Sequence, residues 1–171
     1  LTALGNPAAL MAQDNKPTVK VGSTNYTEQF ILAEMLSLLL EEAGYPTDVE
    51  HNIGGTAVIH EARNAGDVDV HVEYTGSGLT ILGRDVSEIR TEDMTPDDVV
   101  EAVYDVVKSE YEAQFNAIWL EPIGINNTYA LAMRREHAEE LGVEKISDLE
   151  EHAADLDFGG SQEFIVRADG L

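Results

Sequence analysis

Residues 18–30 have the sequence TVKVGSTNYTEQF, and this stretch decides the fold class. The β-rich run at 18–22 ends in glycine and predicts a short strand. Asn25 and Glu28 have the spacing of a capping box, which predicts a helix that begins here and continues to about Ala43. A strand that passes directly into a helix is the first half of a β-α-β unit.

The alternation of strand and helix continues along the chain. Residues 47–51 predict a second strand, and the glycine-rich turn at 54–56 begins a helix that ends at Gly66. Residues 69–74 alternate like a third strand, and residues 75–78 predict a loop. This order is typical of an α/β domain with a parallel sheet, in which ligands bind outside the carboxyl ends of the strands. Small polar or glycine-rich turns follow all three strands, so we expect a binding site there.

Two helices have predicted apolar faces. Ile31, Met35 and Leu38 recur at helical spacing and predict the buried stripe of the first helix. Thr95, followed by Pro96 and then Asp98, predicts the start of a later helix. The valines on the apolar side of that helix are Val99, Val103, Val106 and Val107.

The last third of the chain predicts further strands and helices. Residues 116–122 and 128–133 have the composition of strands. Ser147 and Glu150 have the spacing of another capping box, and the turn at 159–161 predicts a strand end.

The charge of the chain is strongly unbalanced. Lysine and arginine number 10 against 33 aspartates and glutamates, which gives a formal net charge of −23. Such a chain repels phosphate backbones and anionic lipid surfaces, so we expect no nucleic-acid partner. Because molar salt screens this self-repulsion, we also expect a halophilic source.

Residue types that carry catalysis or bind metals are scattered. The chain has no cysteine, and its 5 histidines show no compact ligand spacing such as HExxH. No P-loop, G-x-G-x-x-G or G-x-S-x-G motif is present, so we expect no enzyme, no metal and no cofactor. A hydrolase is an alternative interpretation, with His60, Glu61 and Ser161 as its candidate residues.

The beginning of the chain has features of a secretory signal. Small residues at 8–12 precede the polar residues at 13–15, as in the last part and cleavage site of a signal peptide. We therefore expect residues 1–17 to be a leader and the protein to work outside the cytoplasm.

Six motifs in the same order resemble the substrate-binding proteins of osmoprotectant ABC transporters, the glycine betaine/choline-binding family. The similarity extends from about Thr18 to the last residue. The motifs are VGSTNYTEQF at 21–30, GGTAV at 54–58, EYTG at 73–76, PIGINNTYAL at 122–131, ISDL at 146–149 and FGGSQEF at 158–164, with Arg167, Asp169 and Gly170 after the last of them.

This resemblance implies an α/β fold of the periplasmic-binding-protein type II class, in which two lobes with mostly parallel sheets close like a hinge. Lobe 1 would span 18–122, and lobe 2 would begin at 123 and be incomplete at 171, because members of the family continue well beyond this point. The resemblance further implies a monomer that binds a small quaternary-ammonium ligand and delivers it to a membrane permease.

The resemblance also implies a set of ligand-binding residues. A trimethylammonium group has no N–H to donate, so aromatic faces recognise it through cation–π attraction. Tyr74 and Tyr129 match the cage positions, Arg167 can hold a carboxylate bidentately, and Glu163 and Asn127 match polar positions beside them. Relatives often have lysine where this chain has Thr24, and the loss of that positive charge weakens the case for a carboxylate ligand and leaves choline-like cations open. Hydroxyl and amide groups at the mouth complete the set: Ser23, Asn25 and Thr56.

Other interpretations of these residues stay open. Each strand-end turn is also compatible with an ordinary helix start, and Glu163 with Arg167 has the spacing of a surface ion pair on a helix. A truncated member of the family without ligand affinity is the alternative function.

Overall fold

The computed structural model describes residues 16–167, apart from the side chain of Glu163. The chain divides into two compact units, of which the first ends at Ala117 and the second begins at Ile118. Nearly all of the predicted leader, together with Asp169 and Gly170, lies outside the described residues.

A parallel sheet lies at the centre of the first unit. Its strands are β1 (Val19–Gly22), β2 (Thr47–Glu50) and β3 (Val70–His71), in the order β2-β1-β3. The predicted parallel α/β arrangement is confirmed, but β3 is shorter than the predicted 69–74. The reason is that β3 pairs only with the last two residues of β1. A strand extends only as far as a neighbouring strand forms hydrogen bonds with its backbone N–H and C=O groups.

Each strand leads into a helix. The helices are α1 (Thr27–Glu42), α2 (Thr56–Ala65), α3 (Thr75–Ile81) and α4 (Pro96–Phe115), with a 3₁₀ turn at Val86–Glu88. The connection from β1 to β2 and the connection from β2 to β3 run in opposite directions across the sheet. Because such connections follow a right-handed rule, we expect α1 and α2 on opposite faces of the sheet. The buried apolar core comes from all of these layers: Val21, Leu32, Ala33, Ile59, Val68, Leu79, Val103, Tyr104, Val107 and Tyr111.

The predicted buried stripe of α1 is wrong. Ile31, Met35 and Leu38 are 57%, 54% and 63% exposed. The buried stripe is instead Gln29, Leu32, Ala33 and Ser37. Apolar residues occur all around α1, so their spacing does not select one face. The sheet selects it, since Ser37 Oγ lies 2.7 Å from Thr47 Oγ1 at the start of β2.

Two predicted boundaries in the first unit also need correction. Tyr26, not Asn25, is the N-cap of α1, and no side chain caps this helix. The backbone amide of Asn25 instead donates to the Gly54 carbonyl at 3.2 Å, which ties the turn after β1 to the turn after β2. Thr75, Gly76 and the two residues after them form the first turns of α3 rather than a loop.

The start of α4 is confirmed. Thr95 is its N-cap, and the Thr95 hydroxyl and the Asp98 carboxylate form a reciprocal capping box. Val103 and Val107 are buried as predicted, with Tyr104 and Tyr111 beside them.

The second unit contains short helices. These are α5 (Arg135–Leu141), 3₁₀ turns at Ile146–Glu151 and Ala153–Asp155, and α6 (Gln162–Val166). The strands predicted at 116–122 and 128–133 are wrong, because the described residues offer no neighbouring strand to pair with them. Lys145 rather than Ser147 precedes the first 3₁₀ turn as its N-cap. Between residues 16 and 167 no helix is both long and apolar enough to cross a bilayer.

Candidate functional site

The order of the strands indicates where a ligand-binding crevice is expected, at the edge of the sheet formed by the carboxyl ends of the strands. From β1 the chain turns toward β2, whereas β3 lies on the other side of β1. In an open parallel sheet, ligands bind where neighbouring connections run in opposite directions, outside the carboxyl ends of the strands. Here that position lies between the ends of β1 and β3, and the turn after β2 adjoins it.

The turn after β1 supplies two buried hydroxyl groups. Ser23 and Thr24 are 0% and 2% exposed. The Ser23 hydroxyl is used inside the protein, because it accepts from the Asn52 amide at 3.3 Å and lies 3.3 Å from His51 Nδ1. Thr24 Oγ1, in contrast, has no hydrogen-bond partner among the described residues.

The remaining predicted residues of the first unit lie around this turn. Asn25 is exposed, and its amide bond to Gly54 brings the ends of β1 and β2 together. Thr56 is 8% exposed in the first turn of α2. Tyr74 follows β3 as the N-cap of α3 and is half-buried. Its amide donates to Glu73 Oε1 at 2.8 Å, and its hydroxyl donates to the Glu28 carboxylate.

Sequence reasoning missed two residues of this region. It assigned Glu28 to a capping box, but the carboxylate of Glu28 accepts from Tyr74 across the crevice. Gln29 is 1% exposed, and neither its amide nitrogen nor its oxygen has a hydrogen-bond partner in the part of the chain that the structure describes. A glutamine at an otherwise apolar helix position was the signal for it. Buried amides without a partner are uncommon, and they mark places where a polar group of another molecule can bind.

Aromatic and charged side chains connect α2 and α4. The His60 ring lies 5.6 Å from that of Tyr111, and the Arg63 guanidinium carbon lies 5.9 Å from the Tyr111 ring centre. Burial lowers the pKa of His60, and the positive charge of Arg63 lowers it further. Burial also raises the pKa of Tyr111, with the charge of Glu73 as a second cause. These groups stabilise the packing of the unit.

Two of the three hydrolase candidates, His60 and Ser161, have structural roles. His60 is 5% exposed, and its Nε2 lies 2.9 Å from the amide nitrogen of Asn64. Ser161 Oγ accepts from the Phe164 amide at 3.1 Å and so begins α6. Among residues 16–167 no group of three carboxylate or imidazole side chains could hold a metal ion. A cavity of about 370 Å³ in the first unit is lined by Lys20, Asp48, Glu50 and Asp67 among others, and by none of the predicted site residues.

Tyr129 and Arg167, two of the predicted residues of the second unit, lie next to α6. Tyr129 is 57% exposed, and its ring packs edge-on against Phe164, with 4.7 Å between the ring centres. The ring of Phe158 also packs on Phe164, with 6.0 Å between the ring centres. Asn127 is exposed and Arg167 is half-buried after the end of α6. Glu163 lies within α6, but its side chain is outside the described part, so its pairing with Arg167 stays a prediction.

Three known proteins show what the chain is similar to. The ergothioneine transport permease/ergothioneine binding protein EgtU of Helicobacter pylori is 37% identical over 162 residues, which are 94% of this chain and 27% of that protein. A glycine-betaine-binding protein of Pseudomonas aeruginosa is 34% identical and covers 100% of this chain and 54% of its own length. The structure of apo YehZ from Escherichia coli has 31% identity and a TM-score of 0.56 over 90% of this chain and 53% of that one.

These matches confirm the predicted periplasmic-binding-protein class. The chain spans about half the length of two of these proteins and about a quarter of the third. Residues 17–171 match the profile of OpuAC, described as the substrate binding domain of the ABC-type glycine betaine transport system. The chain therefore belongs to the OpuAC family, whose members bind the substrates of ABC transporters and are not enzymes.

Proposed function

We propose that the protein is the extracytoplasmic solute-binding component of an ABC transporter, that it binds a quaternary-ammonium osmoprotectant, and that it delivers this ligand as a monomer to a membrane permease. Glycine betaine and choline are the proposed ligands, and ergothioneine is a third because a relative is named for it. All three carry a permanently methylated nitrogen.

The position of Tyr74 carries the proposal. This tyrosine directly follows β3, on one side of the crevice between β1 and β3, and it is half-buried. The hydrogen bond to Glu28 fixes its hydroxyl, so the ring is held in one place by two elements. An aromatic ring that is held in place can attract a methylated cation. This attraction is worth about 2 kcal/mol or more when the cation is desolvated.

The polar end of a zwitterionic ligand would use other groups of the first unit. Helices α1 and α2 both begin at this edge, and the positive ends of their dipoles favour a carboxylate. The buried Thr24 hydroxyl and the Gln29 amide, which have no partner among the described residues, are available to donate to it. Ser23, Asn25 and Thr56 would line the opening of the proposed site next to these groups.

The second unit has candidate ligand-binding residues of its own. Tyr129 offers a second aromatic ring, which Phe164 supports from its edge. Arg167 is the proposed carboxylate-binding residue of this unit, and Asn127 and Glu163 are its further proposed polar ligand-binding residues. We propose lobe limits of 18–122 and 123–171.

Titration calorimetry with glycine betaine, choline and ergothioneine tests the proposal. We expect heat with at least one ligand, and Tyr74→Leu should reduce its affinity about 30-fold. Tyr45→Leu is the matched control, because Tyr45 follows the far end of α1, where Lys16 Nζ lies 4.2 Å from the centre of its ring. Absence of heat with all three ligands would support the alternative of a family member without ligand affinity. If Tyr74→Leu binds the ligand as tightly as the unaltered protein, the proposed aromatic cage is rejected.

A further inference from the structure

The hydrogen bond between Tyr74 and Glu28 crosses the candidate crevice. Glu28 belongs to the first turn of α1 and Tyr74 precedes α3, 46 residues later in the chain. The bond therefore joins the element that follows β1 to the element that follows β3.

A carboxylate that accepts from a phenol changes the phenol ring. The acceptor carries charge, so the bond is stronger than one between neutral groups and draws the phenol proton toward the carboxylate. Electron density on the phenol oxygen and its ring rises as a result. The face of the ring becomes more negative, and its attraction for a cation grows.

The helix dipoles near this ring disfavour a cation, whereas the Glu73 carboxylate, which accepts from the Tyr74 amide, favours one. Helices α1, with 16 residues, and α2, with 10 residues, both begin at this edge of the sheet. The positive end of a helix dipole repels a cation within the first turn. Glu28 is the acidic residue in the first turn of α1, and α2 has none in its first turn. A negative charge at Glu28 therefore offsets the field of the helix at the point where Tyr74 stands.

We propose that Glu28 is a positioning residue which holds the Tyr74 ring and makes the site select a permanent positive charge over a neutral ligand of the same shape. This inference rests on the proposed function, because it assigns a role to Glu28 in binding a quaternary ammonium group. Glu28 acts through Tyr74 and through its own charge, without a covalent step.

A pair of ligands with the same shape separates charge from packing. Choline and 3,3-dimethyl-1-butanol differ only in that a neutral carbon replaces the methylated nitrogen. Calorimetry with both ligands should show that Glu28→Gln weakens choline binding about tenfold and changes the affinity of the neutral alcohol less than about twofold. Tyr74→Phe keeps the ring but removes the hydroxyl, and we expect it to lower the same ratio of affinities.

Glu42→Gln is the matched control, because it removes one negative charge at the other end of α1, where Glu42 is exposed. We expect this variant to bind both ligands like the unaltered protein. Equal losses for choline and the alcohol in Glu28→Gln, or no loss for either, would overturn the role of Glu28. If Glu28→Gln does not fold, as judged by circular dichroism, Tyr74→Phe decides by the same ratio. If the unaltered protein binds none of choline, glycine betaine and ergothioneine, the proposed function itself fails.

Discussion

His71 Nε2 lies 3.9 Å from Glu73 Oε2, and the two side chains are only 8% and 10% exposed. This distance is longer than a hydrogen bond, and His71 Nδ1 has no hydrogen-bond partner among the described residues. Burial therefore dominates and lowers the pKa of His71 to about 4, with the positive charges of Arg63 and His60 acting in the same direction. The imidazole is neutral in the folded protein at neutral pH.

The first prediction concerns acid stability. Because the folded-state pKa of His71 lies below its ordinary value of 6.5, the unfolded chain binds more protons in the window between pH 6.5 and about 4. The stability that neutral His71 contributes is fully present above pH 6.5. As the pH falls to about 4, the free energy of unfolding decreases by about 3 kcal/mol. Urea melts at several pH values should show stability decreasing toward pH 4.

The control for this prediction replaces the buried histidine. His71→Asn should flatten the decrease between pH 6.5 and pH 4, whereas His152→Asn, in the second unit, should leave it in place. A decrease that is identical in the unaltered protein and in His71→Asn would contradict the assignment to His71.

The second prediction compares two residues that the sequence marks as helix caps. Thr95 caps α4, so Thr95→Ala should lower the free energy of unfolding by about 1 kcal/mol. Ser147 is exposed and does not cap the 3₁₀ turn it belongs to, so Ser147→Ala should change stability by less than about 0.5 kcal/mol. Chemical denaturation of both variants checks this. Equal losses of free energy of unfolding in the two variants would contradict the prediction.

The third prediction uses two glycines near the candidate site. Gly54 has a φ of +145°, and a Cβ there would stand 2.9 Å from Val58 Cβ. Gly54→Ala should therefore lower the melting temperature, with a loss of more than about 1 kcal/mol. A Cβ at Gly76 meets nothing within 4 Å, so Gly76→Ala in α3 should be neutral or stabilise the protein by up to about 1 kcal/mol. The prediction is wrong if the two variants melt alike.

The fourth prediction concerns salt. The net charge of −23 creates repulsion within the folded protein that added ions screen. The melting temperature should rise continuously between 0.1 M and molar KCl, and NaCl should act in the same way. A melting temperature that does not rise with either salt would count against a halophilic source.

Patterns that depend on neighbours in sequence were predictable. The first two strands, the end of α2 at Gly66 and the cap of α4 at Thr95 follow from local propensity and from side chains that bond to the backbone a few residues away. The family motifs also lie in continuous stretches, so the resemblance could be stated from them and the match over residues 17–171 confirms it.

Features that depend on residues far apart in the chain were not predictable. Apolar side chains occur on all sides of α1. The face that is buried is the one that packs on the sheet, where Ser37 bonds to Thr47. The order β2-β1-β3 placed the crevice, and the hydrogen bond from Tyr74 to Glu28 crosses 46 residues that no local pattern connects. Short-range preferences specify where a helix or strand begins, but packing and hydrogen bonds between distant segments specify which side chains meet, because these gains exist only once the chain is folded.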